Sequence, residues 1–316
     1  MNFKKVLQYI LTLVIIVAVG YFFYLEFKNN WDAIRVYHFA INFYYIVASI
    51  FVTTIAFLMD TYIWQICINN YLQRKLNFLE SMALYNTSAM LKYIPGKVWT
   101  YAAQIALMSS KGISKAVVLY INIICFICLT FVSAMYALYY YLFCLQLIAW
   151  KISVLIFILL IALDFIFIIW NTSIINYLII PLNKIFKMEI QPIKMRKIIL
   201  VYVQLLYLFA YIPLGIGTYF LAKGIGMDIP FSNIFAIMAA ISVSAILGYI
   251  AFFSPGGLGV REGAMLVMLK QFSNIETALI LPIVMRLIYI IIELLLGIIG
   301  ILTGMKYGCF PNQTKR

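Results

Sequence analysis

Two stretches decide how this chain folds: YIPGKVWTYAAQ at Tyr93–Gln104 and FFSPGGLGVREG at Phe252–Gly263. Each interrupts a long apolar run with Pro-Gly, and each brings charge into it. Proline removes a backbone donor, and glycine admits conformations that a helix cannot hold. In lipid such a break survives only where the loosened backbone is buried in protein or lines a wet cavity. The surrounding composition says that the solvent is lipid. The 316 residues are 66% hydrophobic and 10% charged, with a mean hydropathy of +1.04, whereas soluble domains carry about 25% charged residues.

Working outward from the two breaks, the apolar runs predict an all-α polytopic membrane protein. Six full spans are expected near 6–27, 41–68, 115–141, 152–170, 199–222 and 276–304, each near or above the roughly 18 apolar residues that suffice to cross a bilayer. The run over 6–27 is too long for the core of a cleavable leader and reads as a first span or signal anchor. The broken segments, 78–110 and 231–273, read as re-entrant helical hairpins.

Charge tests that topology, because Lys and Arg concentrate on the cytoplasmic side. With Lys4 and Lys5 inside, the cytoplasmic loops hold Lys4, Lys5, Arg74, Lys75, Lys111, Lys115, Lys184, Lys187, Lys194, Arg196, Lys197, Lys306, Lys315 and Arg316. The outer loops hold only Lys28, Arg35, Lys151, Lys223 and Lys270. Both termini are therefore expected in the cytoplasm of an inner-membrane protein. The whole chain, 1–316, reads as one transmembrane domain, with a basic cytoplasmic loop at about 171–198. The net charge of +13 lies in short clusters, without the basic stripe a nucleic acid needs, so no nucleic-acid partner is expected.

The order span, hairpin, span occurs twice, over about 41–141 and 199–304, in opposite orientations. Pro95-Gly96-Lys97-Val98 aligns with Pro255-Gly256-Gly257-Leu258. Inverted repeats whose broken helices meet at the midplane mark secondary transporters; two unrelated Pro-Gly loops are the plainer alternative. The second arm of each hairpin would begin near Val98 and Val260, presenting helix N-termini suited to phosphate or carboxylate. Gly256, Gly257 and Gly259 would let a headgroup approach the backbone. Arg261 adds a permanently charged, two-pronged donor, and Lys97 is the corresponding cation of the first hairpin.

Asp60, Asp164, Glu262, Arg286 and Glu293 all interrupt apolar sequence, where a charge costs about 2.5–3.5 kcal/mol on insertion scales. Arg286 and Glu293 share one helix face, expected to look toward Arg261 and Glu262. A purely structural ion pair is the alternative there. Asp60 has Thr61 and Gln65 nearby to satisfy it, and Glu80 and Asp164 read as near-interface groups.

Other chemistry is thinly represented. The chain has one histidine, His38, and no phosphate-loop motif. Cys125-x-x-Cys128 lies mid-span and reads as packing. The Asn86-Thr87-Ser88 sequon falls inside a hairpin. No catalytic nucleophile with an acid/base pair, no metal site and no cofactor are expected.

SPGGLGVREG together with YIPGKVW resembles the lysylphosphatidylglycerol synthase transmembrane-region family, the flippase-like domain of multiple peptide resistance factors and their stand-alone relatives. The resemblance covers roughly 6–304 and falls on Pro95, Gly96, Pro255, Gly256, Gly257, Gly259, Arg261 and Glu262. It implies a membrane protein that handles lipid headgroups in envelope biogenesis, here without the soluble aminoacyl-transferase domain of the full synthases. Many relatives have an arginine soon after the first Pro-Gly turn, where this chain has Tyr101 and Gln104. The expected activity is movement of an anionic phospholipid or lipid-linked glycan between leaflets. Arg261 and Arg286 would hold the phosphate, and Glu262, Glu293 and Asp60 would balance those cations or bind an amine. A non-transporting scaffold for an envelope glycosyltransferase or a lipid-modifying enzyme is the second reading.

Overall fold

The computed structural model describes Tyr24, Lys28, Trp31 and residues 40–93, 99–109, 111–186, 195–251, 257 and 259–309. The first span expected, 6–27, lies outside the described residues apart from Tyr24. Within them the chain is all-α: α1 Phe43–Asn69, α2 Phe78–Ala89, α3 Trp99–Ser109, α4 Lys115–Tyr139, α5 Trp150–Phe186, α6 Lys197–Gly224, α7 Ile234–Ile250, α8 Val260–Leu269 and α9 Ile275–Lys306. Lipid offers backbone groups no partner, so each apolar run closes its own hydrogen bonds as a helix. Six of the helical segments are long and apolar enough to cross a bilayer: 43–69, 115–144, 150–170, 197–224, 231–250 and 275–306. Four expected spans match their helices to within a few residues.

The fifth continues further than its hydropathy suggests. α5 runs on to Phe186, through sequence read as the start of a cytoplasmic loop. At 1.5 Å per residue its 37 residues span about 55 Å, well beyond the roughly 30 Å hydrocarbon layer. Asn171, Thr172 and Ser173 mark where the apolar run ends, but nothing there breaks a helix. The hydropathy break and the helix end are different events.

Both segments with a Pro-Gly break are helix–break–helix. In the first, α2 passes through a 3-10 turn, Met90–Tyr93, before the break and then α3. In the second, α7 and α8 flank the break and pack against each other. The arms are unequal, since α7 with its leading turn makes a 20-residue apolar segment and α8 has 10 residues.

The chain forms two compact units. The first comprises Met1–Phe57, Leu91–Trp99 and Tyr211–Leu295; the second comprises Leu58–Met90, Thr100–Ala210 and Leu296–Arg316. Each draws segments from both sequence repeats. In the first unit, α6 and α1 meet through small residues: a Cβ on Gly217 would lie 2.3 Å from Thr53 Oγ1 and 3.3 Å from the Ser49 carbonyl. Close backbone approach of this kind is how membrane helices gain contact without a hydrophobic driving force.

In the second unit, α9 approaches α2 closely at Gly300, where a Cβ would lie 2.8 Å from the Met82 carbonyl. α2 starts with a reciprocal cap. Asn77 Oδ1 accepts from the Glu80 N–H at 2.8 Å, and Glu80 Oε2 accepts from the Asn77 N–H at 2.9 Å. The other Glu80 oxygen pairs with Arg74 at 2.8 Å, so Glu80 is a structural cap. Cys125 Sγ sits 3.9 Å from Cys67 Sγ.

Candidate functional site

The second break builds the site. Gly257 and Gly259 have φ of +74° and +80°, values that L side chains adopt only with strain. They reverse the chain between α7 and α8, and Ser244 of α7 ties the reversal down by donating to the Arg261 carbonyl at 2.8 Å. Three residues into α8, Glu262 folds back so that the Gly259 N–H donates to its Oε2 at 2.5 Å. Glu262 Oε1 faces Arg286 Nε of α9 at 3.6 Å.

That arrangement revises the expected use of this helix start. The N-terminus of α8 was expected to offer its free N–H groups to a headgroup, but the chain's own carboxylate occupies part of it. A glutamate three positions past a cap reaches back to the cap N–H, as in a capping box. Gly257 likewise does not leave an open cradle. The Arg261 side chain lies against it and against Gly248: a Cβ on Gly248 would lie 2.4 Å from Arg261 Cγ and Nε, and one on Gly257 would lie 2.9 Å from Nε. The guanidinium carbon ends 4.9 Å from the Tyr249 ring centroid, within cation–π range.

One more ion pair completes the cluster. Lys92, in the 3-10 turn that ends the first arm, pairs with Glu293 of α9. The charges of Arg261 and Arg286 act on Lys92, and both act on Tyr289. Tyr289 lies between Arg286 and Glu293 on one face of α9, with its hydroxyl 3.5 Å from Thr218 Oγ1 and its ring edge-on to Phe57. Glu262, Arg286 and Glu293 are 7%, 8% and 8% exposed. In this set three cations, Lys92, Arg261 and Arg286, face two carboxylates, Glu262 and Glu293.

Of the residues expected at the site, Gly257, Gly259, Arg261, Glu262, Arg286 and Glu293 all fall in the first unit, where the contacts above link them. Arg286 and Glu293 take separate partners, Glu262 and Lys92, in place of each other. Pro95, Gly96, Lys97, Pro255 and Gly256 lie outside the described residues. Asp60 belongs to the second unit. Its carboxylate accepts from Tyr85 at 2.5 Å and Tyr207 at 3.2 Å, while the expected neighbours look elsewhere: Thr61 donates to Asn86, and Gln65 donates to the Leu76 carbonyl. The second unit also holds a surface cavity of about 480 Å³ lined by Tyr71, Arg74, Lys111 and their neighbours. Burial raises the Tyr71 phenol well above its usual range.

Lys92, Ser244, Gly248, Tyr249, Thr218 and Tyr289 were not foreseen. Tyr289 was readable from its spacing to Arg286 and Glu293. Lys92 interrupts apolar sequence as plainly as Arg286 does, but the adjacent Pro-Gly-Lys draws attention to Lys97. Gly248 gives no sequence signal, since its role is to make room for another residue's side chain.

Nine helices among the described residues, six of them long and apolar enough to span a bilayer, define a multi-pass membrane protein with ion pairs inside its apolar sequence. The chain belongs to the lysylphosphatidylglycerol synthase TM region family, which it matches over residues 9–297. That family is a membrane domain of flippase-like proteins. No curated protein matches the chain.

Proposed function

We propose that this protein is a transporter, not an enzyme, and that it moves a lipid with an anionic headgroup, a phospholipid or a lipid-linked glycan, between the leaflets of the inner membrane. The observation that supports this reading is a charge imbalance. Among the described residues of this cluster, Lys92, Arg261 and Arg286 exceed Glu262 and Glu293 by one positive charge, within apolar sequence where every charge is costly. A phosphate supplies the missing anion and matches the fork of an arginine.

In this reading both broken segments enter the membrane as re-entrant hairpins of an inverted repeat, and both termini are cytoplasmic. Pro95, Gly96, Lys97, Pro255 and Gly256 shape the two tips. Arg261 and Arg286 hold the phosphate, while Glu262 and Glu293 keep the cations paired when no lipid is bound. Asp60 takes an amine or balances charge on its own unit. The partner set is then the lipid itself, together with envelope glycosyltransferases that make or use it.

Labelled phosphatidylglycerol and labelled polyprenyl-phosphate sugar in proteoliposomes test this. One of them should cross faster than in protein-free vesicles, and Arg261→Ala should abolish the gain while the protein stays folded. Folded protein that moves neither lipid, but co-purifies with a glycosyltransferase, would identify a scaffold instead.

A further inference from the structure

The second unit holds another intramembrane acid, one that the headgroup site does not use. Asp164 lies in α5, fourteen residues after Trp150, or about 21 Å along the helix at 1.5 Å per residue. Its neighbours Leu163 and Phe165 are exposed, as lipid-facing residues are, whereas Asp164 is only 6% exposed. Its Oδ1 has no hydrogen-bond partner among the described residues, and no ion pair there reaches it. The polar group beside it is Gln204 of α6, whose side-chain amide interacts with the Asp164 carboxyl; it is itself 8% exposed, and neither amide atom has a hydrogen bond of ordinary geometry. From α4, the buried Cys128 thiol is the titratable group that shares its field.

We propose that Asp164 and Gln204 form a proton-binding site inside the membrane, and that the proton exchanged there drives the lipid movement; this second part rests on the transport reading above. An ionised carboxylate only accepts hydrogen bonds, and Gln204 can offer it one amide N–H while turning an equally electron-rich Oε1 toward it. Adding one proton resolves this conflict. The carboxyl O–H donates to Gln204 Oε1, and its carbonyl accepts from Nε2–H, giving a closed, neutral, fully satisfied pair. Without the proton, a carboxylate lacking a counter-ion stands in apolar surroundings, which is costly. Proton release removes the O–H that Gln204 Oε1 accepts and leaves a buried charge with one N–H donor, so the contact between α5 and α6 rearranges. α6 also carries Tyr207, a donor to Asp60, and is the element through which that rearrangement would act. Buried membrane acids of this kind serve in proton relays.

Infrared difference spectroscopy of the full chain in liposomes, between acid and alkaline buffer, reads the proton directly. A protonated-carboxyl band should vanish on alkalinisation, be missing from Asp164→Asn and persist in Asp60→Asn. A band unchanged at every pH, or a titrating band that survives Asp164→Asn, would overturn the site. If Asp164→Asn does not fold, Gln204→Leu serves: it should shift the midpoint of the same band, and an unmoved midpoint counts against the pair. In the second arm, an imposed pH gradient should accelerate phosphatidylglycerol movement by the wild type and leave Asp164→Asn unaffected. Lipid movement equally indifferent to the gradient in both proteins would overturn the coupling. Failure of both to move any lipid would sink the transport reading, while the infrared band would still decide the proton site.

Discussion

Alanine at Gly248 should disable the lipid site at a cost in stability that is separable from it. The added Cβ would meet Arg261 Cγ and Nε at 2.4 Å and Cδ at 2.9 Å, too close for the side chain to keep its path. Gly248 is helical and has no positive φ, so alanine improves helix propensity there by about 0.8–1 kcal/mol. Against that stand the lost cation–π contact with Tyr249, about 0.5–2 kcal/mol, and local overpacking of about 1–3 kcal/mol. The net loss of stability is then about 1–4 kcal/mol.

The functional loss arises separately from that stability change. A displaced guanidinium forfeits its charge-assisted hydrogen bond to the phosphate, about 1.5–3 kcal/mol, or roughly 10- to 150-fold in lipid affinity. Thermal unfolding with and without phosphatidylglycerol separates the two effects. The sharper check is a double mutant, since the clash exists only if Arg261 is present. On an Arg261→Ala background, Gly248→Ala should cost nothing further in lipid affinity and should no longer destabilise. Additive losses in the double mutant would refute the reasoning.

Three other outcomes follow from the contacts. Glu293→Gln leaves the half-buried Lys92 without its counter-ion and should destabilise the protein, by less than the about 3–5 kcal/mol of a fully buried pair, whereas replacing both residues by apolar ones of similar volume should cost less still; thermal unfolding of the two variants decides. Tyr85→Phe removes the shorter of the two hydrogen bonds to Asp60 and should cost about 1.5–3 kcal/mol, more than Tyr207→Phe in the same assay. Asn77→Ala opens the reciprocal cap on α2 and should lower stability by about 0.5–2 kcal/mol without changing lipid selectivity in a translocation assay.

The helices were largely legible because lipid permits so few backbone solutions. Apolar length alone located α1, α4, α6, α9 and the membrane part of α5, and the described helices stop on either side of both Pro-Gly pairs. The continuation of α5 to Phe186 escaped because hydropathy reports where lipid ends and says nothing of where hydrogen bonding ends. At the site, Arg261, Glu262, Arg286 and Glu293 announced themselves as charges in apolar sequence. Their pairing did not: spacing along α9 joins Arg286 to Glu293, whereas tertiary packing gives Glu262 to the first and Lys92 to the second. The glycines were recognised, but sequence cannot reveal that Arg261 of the same chain lies in the space left at Gly257 and Gly248. Asp60 was legible as an acid within apolar sequence, and its tyrosine partners were not, because they lie on other helices.

The central claim is that an excess of one intramembrane positive charge selects a phosphate headgroup. Equilibrium binding in nanodiscs measures it directly, comparing phosphatidylglycerol with phosphatidylcholine of identical acyl chains, for the wild type and for Arg286→Gln. The wild type should prefer the anionic lipid, and Arg286→Gln should lose most of that preference while still binding the zwitterionic lipid as before. Equal binding of the two lipids by the wild type, or a preference that Arg286→Gln leaves intact, would contradict the claim.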